Sequence, residues 1–117
     1  MADNKDLTLA ETYIAGTTHI PDFAAIKQQL TPGTRLDLVR EMNNDFDGWA
    51  IRVETVDGKK TGFVPRAVNE VPAHLMDAGY ELYGEVSGFF YENGWEMVMF
   101  FIRMKREGAC AAGKNNG

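Results

Sequence analysis

A chain of 117 residues, 44% apolar and 25% charged, is expected to fold as one globular domain around a single core. Its net charge of −5 weighs against avid, sequence-blind binding to a nucleic-acid backbone, which requires neutralising many phosphates, but leaves room for a local basic patch. No apolar run approaches the roughly 20 residues of a membrane-spanning helix, and the longest, from Met97 to Ile102, suits a buried strand. The opening Met-Ala-Asp-Asn-Lys-Asp has neither the basic nor the apolar region of a secretion signal. The single cysteine, Cys110, has no internal partner, so the expected location is the reducing cytoplasm.

In chain order, residues 1–8 are polar and expected to be disordered, and residues 9–106 form the domain. Thr12 to Thr17 reads as a first strand, with β-branched and aromatic residues before Gly16. Pro21-Asp22 opens a short helix with Asp22 as its expected N-cap, and Phe23, Ile26 and Leu30 share one face. Arg35 to Arg40 alternates as a half-buried strand, and Ala50 to Val56 alternates again. Asp57-Gly58 is a two-residue hairpin signal leading into a strand from Lys60 to Val64, which Pro65 ends. Arg66 to Asn69 turns, Pro72 fits the first turn of a helix running to Asp77 or Ala78, and Gly79 suits its C′ position. Leu82–Tyr91 and Trp95–Lys105 are the longest strands, joined by Asn93-Gly94, the strongest short hairpin signal in the chain. Residues 107–117, apart from Glu107 and Cys110, are Gly, Ala, Asn and Lys with little to bury, and are expected to form a flexible tail. The fold class is therefore all-β: about six strands and two short helices, closed or partly open as a small barrel.

Catalysis finds little support in these residues. His19, His74 and Cys110 make no nucleophile–base arrangement and are too few and too far apart for a structural zinc site. The Gly-x₄-Gly-Lys-Ser/Thr phosphate loop is absent, and no carboxylate pair stands out as acid and base. No enzyme activity, metal or cofactor is expected.

The most informative stretch runs from Arg40 through Asn43-Asn44-Asp45-Phe46-Asp47-Gly48-Trp49 to Ala50-Ile51-Arg52-Val53, followed by Asp57-Gly58 and Thr61-Gly62-Phe63-Val64-Pro65-Arg66. This order resembles the HIRAN domain, a small module found at the N-terminus of some DNA-remodelling helicases and alone in bacteria. The resemblance covers roughly Thr12 to Gly84. It implies a HIRAN-like barrel related to OB and SH3-like barrels, binding nucleic-acid ends without catalysis, in a bacterial DNA-repair setting. The implied ligand is single-stranded DNA with a free 3′-hydroxyl.

The resemblance also assigns roles. An aromatic-Asp pair in the loop meets the terminal nucleotide, and the matching residues are Phe46 and Asp47. Phe46 keeps a face for stacking, a contact worth about 1–3 kcal/mol per base, and lacks the hydroxyl of a tyrosine. Asn44 and Asp47 also have a purely structural reading, because short amides and carboxylates bond their own backbone in such loops. A basic-aromatic pair follows the family's glycine like Gly16; here Thr18 and His19 stand there. Thr18 brings a hydroxyl but no charge, and His19 is either a base-stacking or phosphate-pairing group or an exposed residue ahead of a helix. Arg66 retains the family's phosphate-binding cation, whereas Phe63 replaces a histidine of a DNA-binding relative and suits core packing equally. The expected binding surface is Thr18, His19, Phe46, Asp47 and Arg66 with Arg40 near its edge, where internal pairing and ligand contact are both open for the arginine. The aromatic hairpin Phe89-Phe90-Tyr91 with Trp95 and Phe100-Phe101 is either core and cover or an exposed patch joining two copies or a partner protein.

Overall fold

Alternation builds the sheet. Along β2 (Arg35–Arg40) and β3 (Ile51–Thr55), Leu36, Leu38, Ile51 and Val53 are buried, while Asp37, Val39, Arg52 and Glu54 between them are half-buried. The computed structural model describes residues 5–106. Within them β1 (Leu7–Tyr13), β4 (Lys60–Phe63), β5 (Leu82–Glu92) and β6 (Trp95–Met104) complete a six-stranded antiparallel sheet in the order β1-β6-β5-β2-β3-β4. The sheet curls as a half-barrel, and an antiparallel bridge brings its two edges together: Ala15 and Phe63 exchange backbone hydrogen bonds of 2.8 and 2.9 Å.

This edge contact explains a glycine. Gly62 has φ +155°, and a Cβ there would lie 2.3 Å from Ala15 O and 2.7 Å from Ile14 Cγ2. Any side chain would push the two edges apart. The concave face carries Leu36, Leu38, Ile51, Val53, Val86, Val98, Phe100 and Ile102. α1 (Phe23–Lys27) and the turn after it contribute Phe23, Ile26 and Leu30 to this core, and α2 (Glu70–Asp77) contributes Ala73, Leu75 and Met76. Among the described residues no helix is long and apolar enough to cross a membrane.

Several local expectations hold. Asn93 (φ 53°) and Gly94 (φ 82°) join the long strands with the positive φ at both positions that a type I′ turn demands. α2 ends in a Schellman motif, with Gly79 N–H donating to Met76 O and Tyr80 N–H to Leu75 O.

Others are corrected. β1 begins at Leu7, earlier than the residues suggest, because Leu7 to Tyr13 ladder onto Met104 to Met99 of β6; pairing far along the chain overrides weak local propensity. The segment after Tyr13 leaves the strand at the left-handed Gly16 (φ 76°) and enters a 3₁₀ turn, Thr17–His19. Asp22 does not cap α1 with its side chain; it adopts φ 60°, and its carbonyl takes the helix's first backbone bonds, from Ala25 and Ile26. The hairpin at Asp57-Gly58 has the longer loop Val56-Asp57-Gly58, with Gly58 (φ 91°) after a turn closed by its N–H to Thr55 O and Thr55 N–H donating to Lys59 O. The expected tail from 107 and Cys110 lie outside the described residues.

Candidate nucleic-acid interface

The loop between β2 and β3 is organised by its own short polar side chains. Asn44 Oδ1 accepts from the N–H groups of both Phe46 (2.8 Å) and Asp47 (2.9 Å), folding the backbone back on itself. Asn44 Nδ2 donates to Glu41 Oε1 at 3.0 Å, and Arg52 Nη1 donates to Glu41 Oε2 at 2.7 Å. Those contacts, the Asn44 bond first, hold the Glu41 carboxyl below its ordinary value. The turn leaves Phe46 at its tip, 87% exposed. An aromatic ring held out in water by a hydrogen-bonded turn contributes nothing to the core, and its whole face is open to a ligand.

Asp47 stands next to it in a different environment. Its Oδ1 accepts from Trp49 N–H at 3.0 Å and its Oδ2 from Asn69 Nδ2 at 2.8 Å. The exposed Arg66 guanidinium lies 3.7 Å from Oδ2. A carboxylate offers about four acceptor positions, so these contacts leave acceptor capacity, and the side chain retains 15% exposure. Asp47 therefore holds the loop with both oxygens while its side chain keeps some contact with solvent.

Arg40 is committed inward. Its Nε and Nη2 grip Asp77 Oδ1 and Oδ2 at 2.9 and 3.0 Å, Nη1 donates to Ala50 O at 2.8 Å, and Nη2 also reaches Gly48 O at 3.2 Å. Its side chain is 10% exposed and its charge lies 5.9 Å from the Trp49 ring. Trp49 in turn meets His74 of α2, ring centroids 4.2 Å apart. Arg40 thus supports the loop from behind and ties it to α2.

Thr18 and His19 are both exposed on the 3₁₀ turn, which packs beside β4. The link from this turn to the loop runs through β4: Ala15 bridges Phe63, and Arg66, a few residues on, faces Asp47. Phe63 is half-buried, with Lys60 Nζ 4.6 Å from its ring centre. Asp47 and Arg66 are thus brought together directly, Phe46 is the chain neighbour of Asp47, and Thr18 and His19 lie on a turn that packs beside β4.

Two supporting residues escaped the sequence reading. Asn69 is 2% exposed, and Asp77 receives the fork of Arg40. Asn69 carries one signal, its place just before a helix, but that predicts a cap and not a reach across to Asp47.

A family model described as the HIRAN domain matches residues 7–103. The chain belongs to the HIRAN domain family. The match extends the resemblance read from Thr12 to Gly84 in both directions. Among solved structures, this HIRAN domain is similar to a protein from Lactobacillus plantarum, with 29% identity, a TM-score of 0.67, and coverage of 83% of this chain and 95% of that one. It shares its fold with the HIRAN domain of human HLTF, at 20% identity and a TM-score of 0.61 over 94% of this chain and 88% of the other. The HLTF HIRAN domain in its DNA-bound conformation aligns at 21% identity with a TM-score of 0.54, over 94% and 84% of the two chains. No match is found among curated proteins.

Proposed function

We propose that this HIRAN domain is a non-enzymatic DNA-binding module that takes single-stranded DNA by its free 3′-hydroxyl end. The observation that carries the reading is the sequence neighbour pair of an 87% exposed Phe46 and an anchored, 15% exposed Asp47 side chain, with the exposed Arg66 3.7 Å from the carboxylate. The terminal base stacks on Phe46, the 3′-hydroxyl donates to Asp47, and Arg66 meets the nearest phosphate; Thr18 and His19 extend the surface along the next turn. Arg40 acts from within, through the loop. The DNA-bound conformation known for the HLTF HIRAN domain supports DNA as the ligand class. Chemistry favours an end over an internal stretch, because a carboxylate repels a phosphate but accepts a hydroxyl proton.

The test is Asp47→Ala, titrated against strands ending in 3′-hydroxyl and 3′-phosphate. End capture predicts binding to the 3′-hydroxyl strand weakened by about tenfold, the loss of one hydrogen bond to a charged acceptor, with little change for the other. Tighter binding of both strands would instead mean that the site grips backbone and that Asp47 opposes it.

A second reading rests on the far end of β5 and β6, which runs beyond its pairing with β2 and β1. Phe89, Phe90, Tyr91 and Trp95 are there 43%, 49%, 69% and 64% exposed. Alternation places Phe90 and Trp95 on one face of this hairpin and Phe89 and Tyr91 on the other, and an exposed aromatic pair of this kind suits self-association or a protein partner. A strict monomer by light scattering at high concentration would remove the self-association version.

A further inference from the structure

Asn69 occupies the N-cap position of α2, yet its side chain makes no capping hydrogen bond. A cap side chain accepts from the N–H of the second or third helical residue, and the third here is Pro72, which has no N–H. With half of its usual capping role removed by the sequence, the Asn69 side chain is turned elsewhere. It is 2% exposed, and its Nδ2 donates to Asp47 Oδ2 at 2.8 Å across from a separate loop. Trp49 N–H fixes the other oxygen at 3.0 Å. Two donors, one on each oxygen, set the plane of the carboxylate and leave its remaining acceptor positions aimed in fixed directions. Arg66 cannot do this, since its guanidinium is 76% exposed and 3.7 Å away.

We infer that Asn69 is the positioning residue for 3′-end recognition, an inference that rests on the DNA-end reading of the site. Asn69 touches no ligand itself. It holds Asp47 in the rotamer that meets the terminal hydroxyl, and it keeps Arg66 from being the carboxylate's main partner, so the arginine stays available to phosphate. A buried donor aimed at the recognition carboxylate makes specificity for the hydroxyl depend on α2 as well as on the loop.

The experiment is a double-mutant cycle of Asn69→Ala and Asp47→Ala, read as the ratio of affinities for 3′-hydroxyl and 3′-phosphate strands, with a melting curve for each variant. Asn69→Ala is expected to reduce the wild-type ratio by about tenfold while affinity for the 3′-phosphate strand moves by less than about twofold. In the Asp47→Ala background the same substitution should change the ratio no further, because its effect passes through the carboxylate. If Asn69→Ala does not fold, Asn69→Leu keeps the side chain's approximate volume, removes the donor, and should abolish the preference in the same way. A wild-type ratio near one would overturn the end-recognition reading and this inference together. A wild-type preference that survives intact in folded Asn69→Ala or Asn69→Leu overturns the inference alone, as does an additive loss in the double mutant.

Discussion

Arg40 grips Asp77 through two parallel hydrogen bonds, Nε to Oδ1 at 2.9 Å and Nη2 to Oδ2 at 3.0 Å, tying the strand that enters the loop to the last turn of α2. The same guanidinium donates to Ala50 O and Gly48 O, so one side chain braces the loop's exit as well. Arg40→Ala removes all four of these hydrogen bonds at once, although Ala50 O keeps its bond from Glu41 N–H and Asp77 reaches solvent. It should lower the melting temperature by on the order of 10 °C, given about 4–8 °C per kcal/mol in a domain of this size. An unchanged melting curve would show that the loop stands without this brace.

Acid should loosen the same region. The Arg40 hydrogen bond holds the Asp77 carboxyl below its ordinary value of 3.8, and the Asn44 bond, with Arg52 behind it, holds Glu41 below 4.5. A carboxyl depressed by folding contributes stability that is full above its unfolded value and disappears as pH falls through the lower folded value. Melting temperature should therefore be flat down to about pH 5 and fall below it, with Glu41→Gln showing a smaller fall. A melting temperature that rises into acid would contradict these pairings.

Gly62→Ala tests the closure of the half-barrel. The added methyl would meet Ala15 O at 2.3 Å in a backbone conformation that only glycine adopts readily. The cost should be about 1–3 kcal/mol, with early hydrogen exchange at the Ala15 and Phe63 amides that form the edge bridge. Full stability would mean that the bridge is dispensable.

Much of this architecture was legible in the chain because it is set locally. Alternation over Arg35–Arg40 and Ile51–Thr55 gave two strands, and Asn93-Gly94 gave a hairpin whose turn needs positive φ twice. The family resemblance, which the match over 7–103 bears out, singled out Phe46, Asp47 and Arg66 as candidates for the interface. What could not be read depends on distance along the chain. Leu7 joins β1 because Met104 lies opposite, and Asn69 matters because Asp47 folds against it. Arg40 stood undecided between ligand and internal partner until Asp77, 37 residues on, lay within reach.

Stacking can be separated from folding at Phe46. With the ring 87% exposed, Phe46→Ala should leave the melting curve unchanged and weaken single-stranded DNA binding by about 1–3 kcal/mol, the range for one base on one ring. Destabilisation without loss of affinity would make the ring structural.

The acidic chain with Arg66 as the exposed cation beside Asp47 predicts a shallow salt dependence. Two or three phosphate contacts give a logarithmic slope of about −0.7 each on single strands. A slope near −10, measured by anisotropy between low and moderate salt, would reveal a basic surface far larger than the Arg66 site.

The most direct measurement titrates the unmodified protein with two otherwise identical labelled single strands, one ending in a free 3′-hydroxyl and one in a 3′-phosphate. Asp47 accepting the terminal hydroxyl predicts tighter binding of the free end by about tenfold or more, since the blocked end both loses a charged hydrogen bond and sets a phosphate against a carboxylate. Equal affinity for the two strands, or no binding of either at low salt, would contradict it.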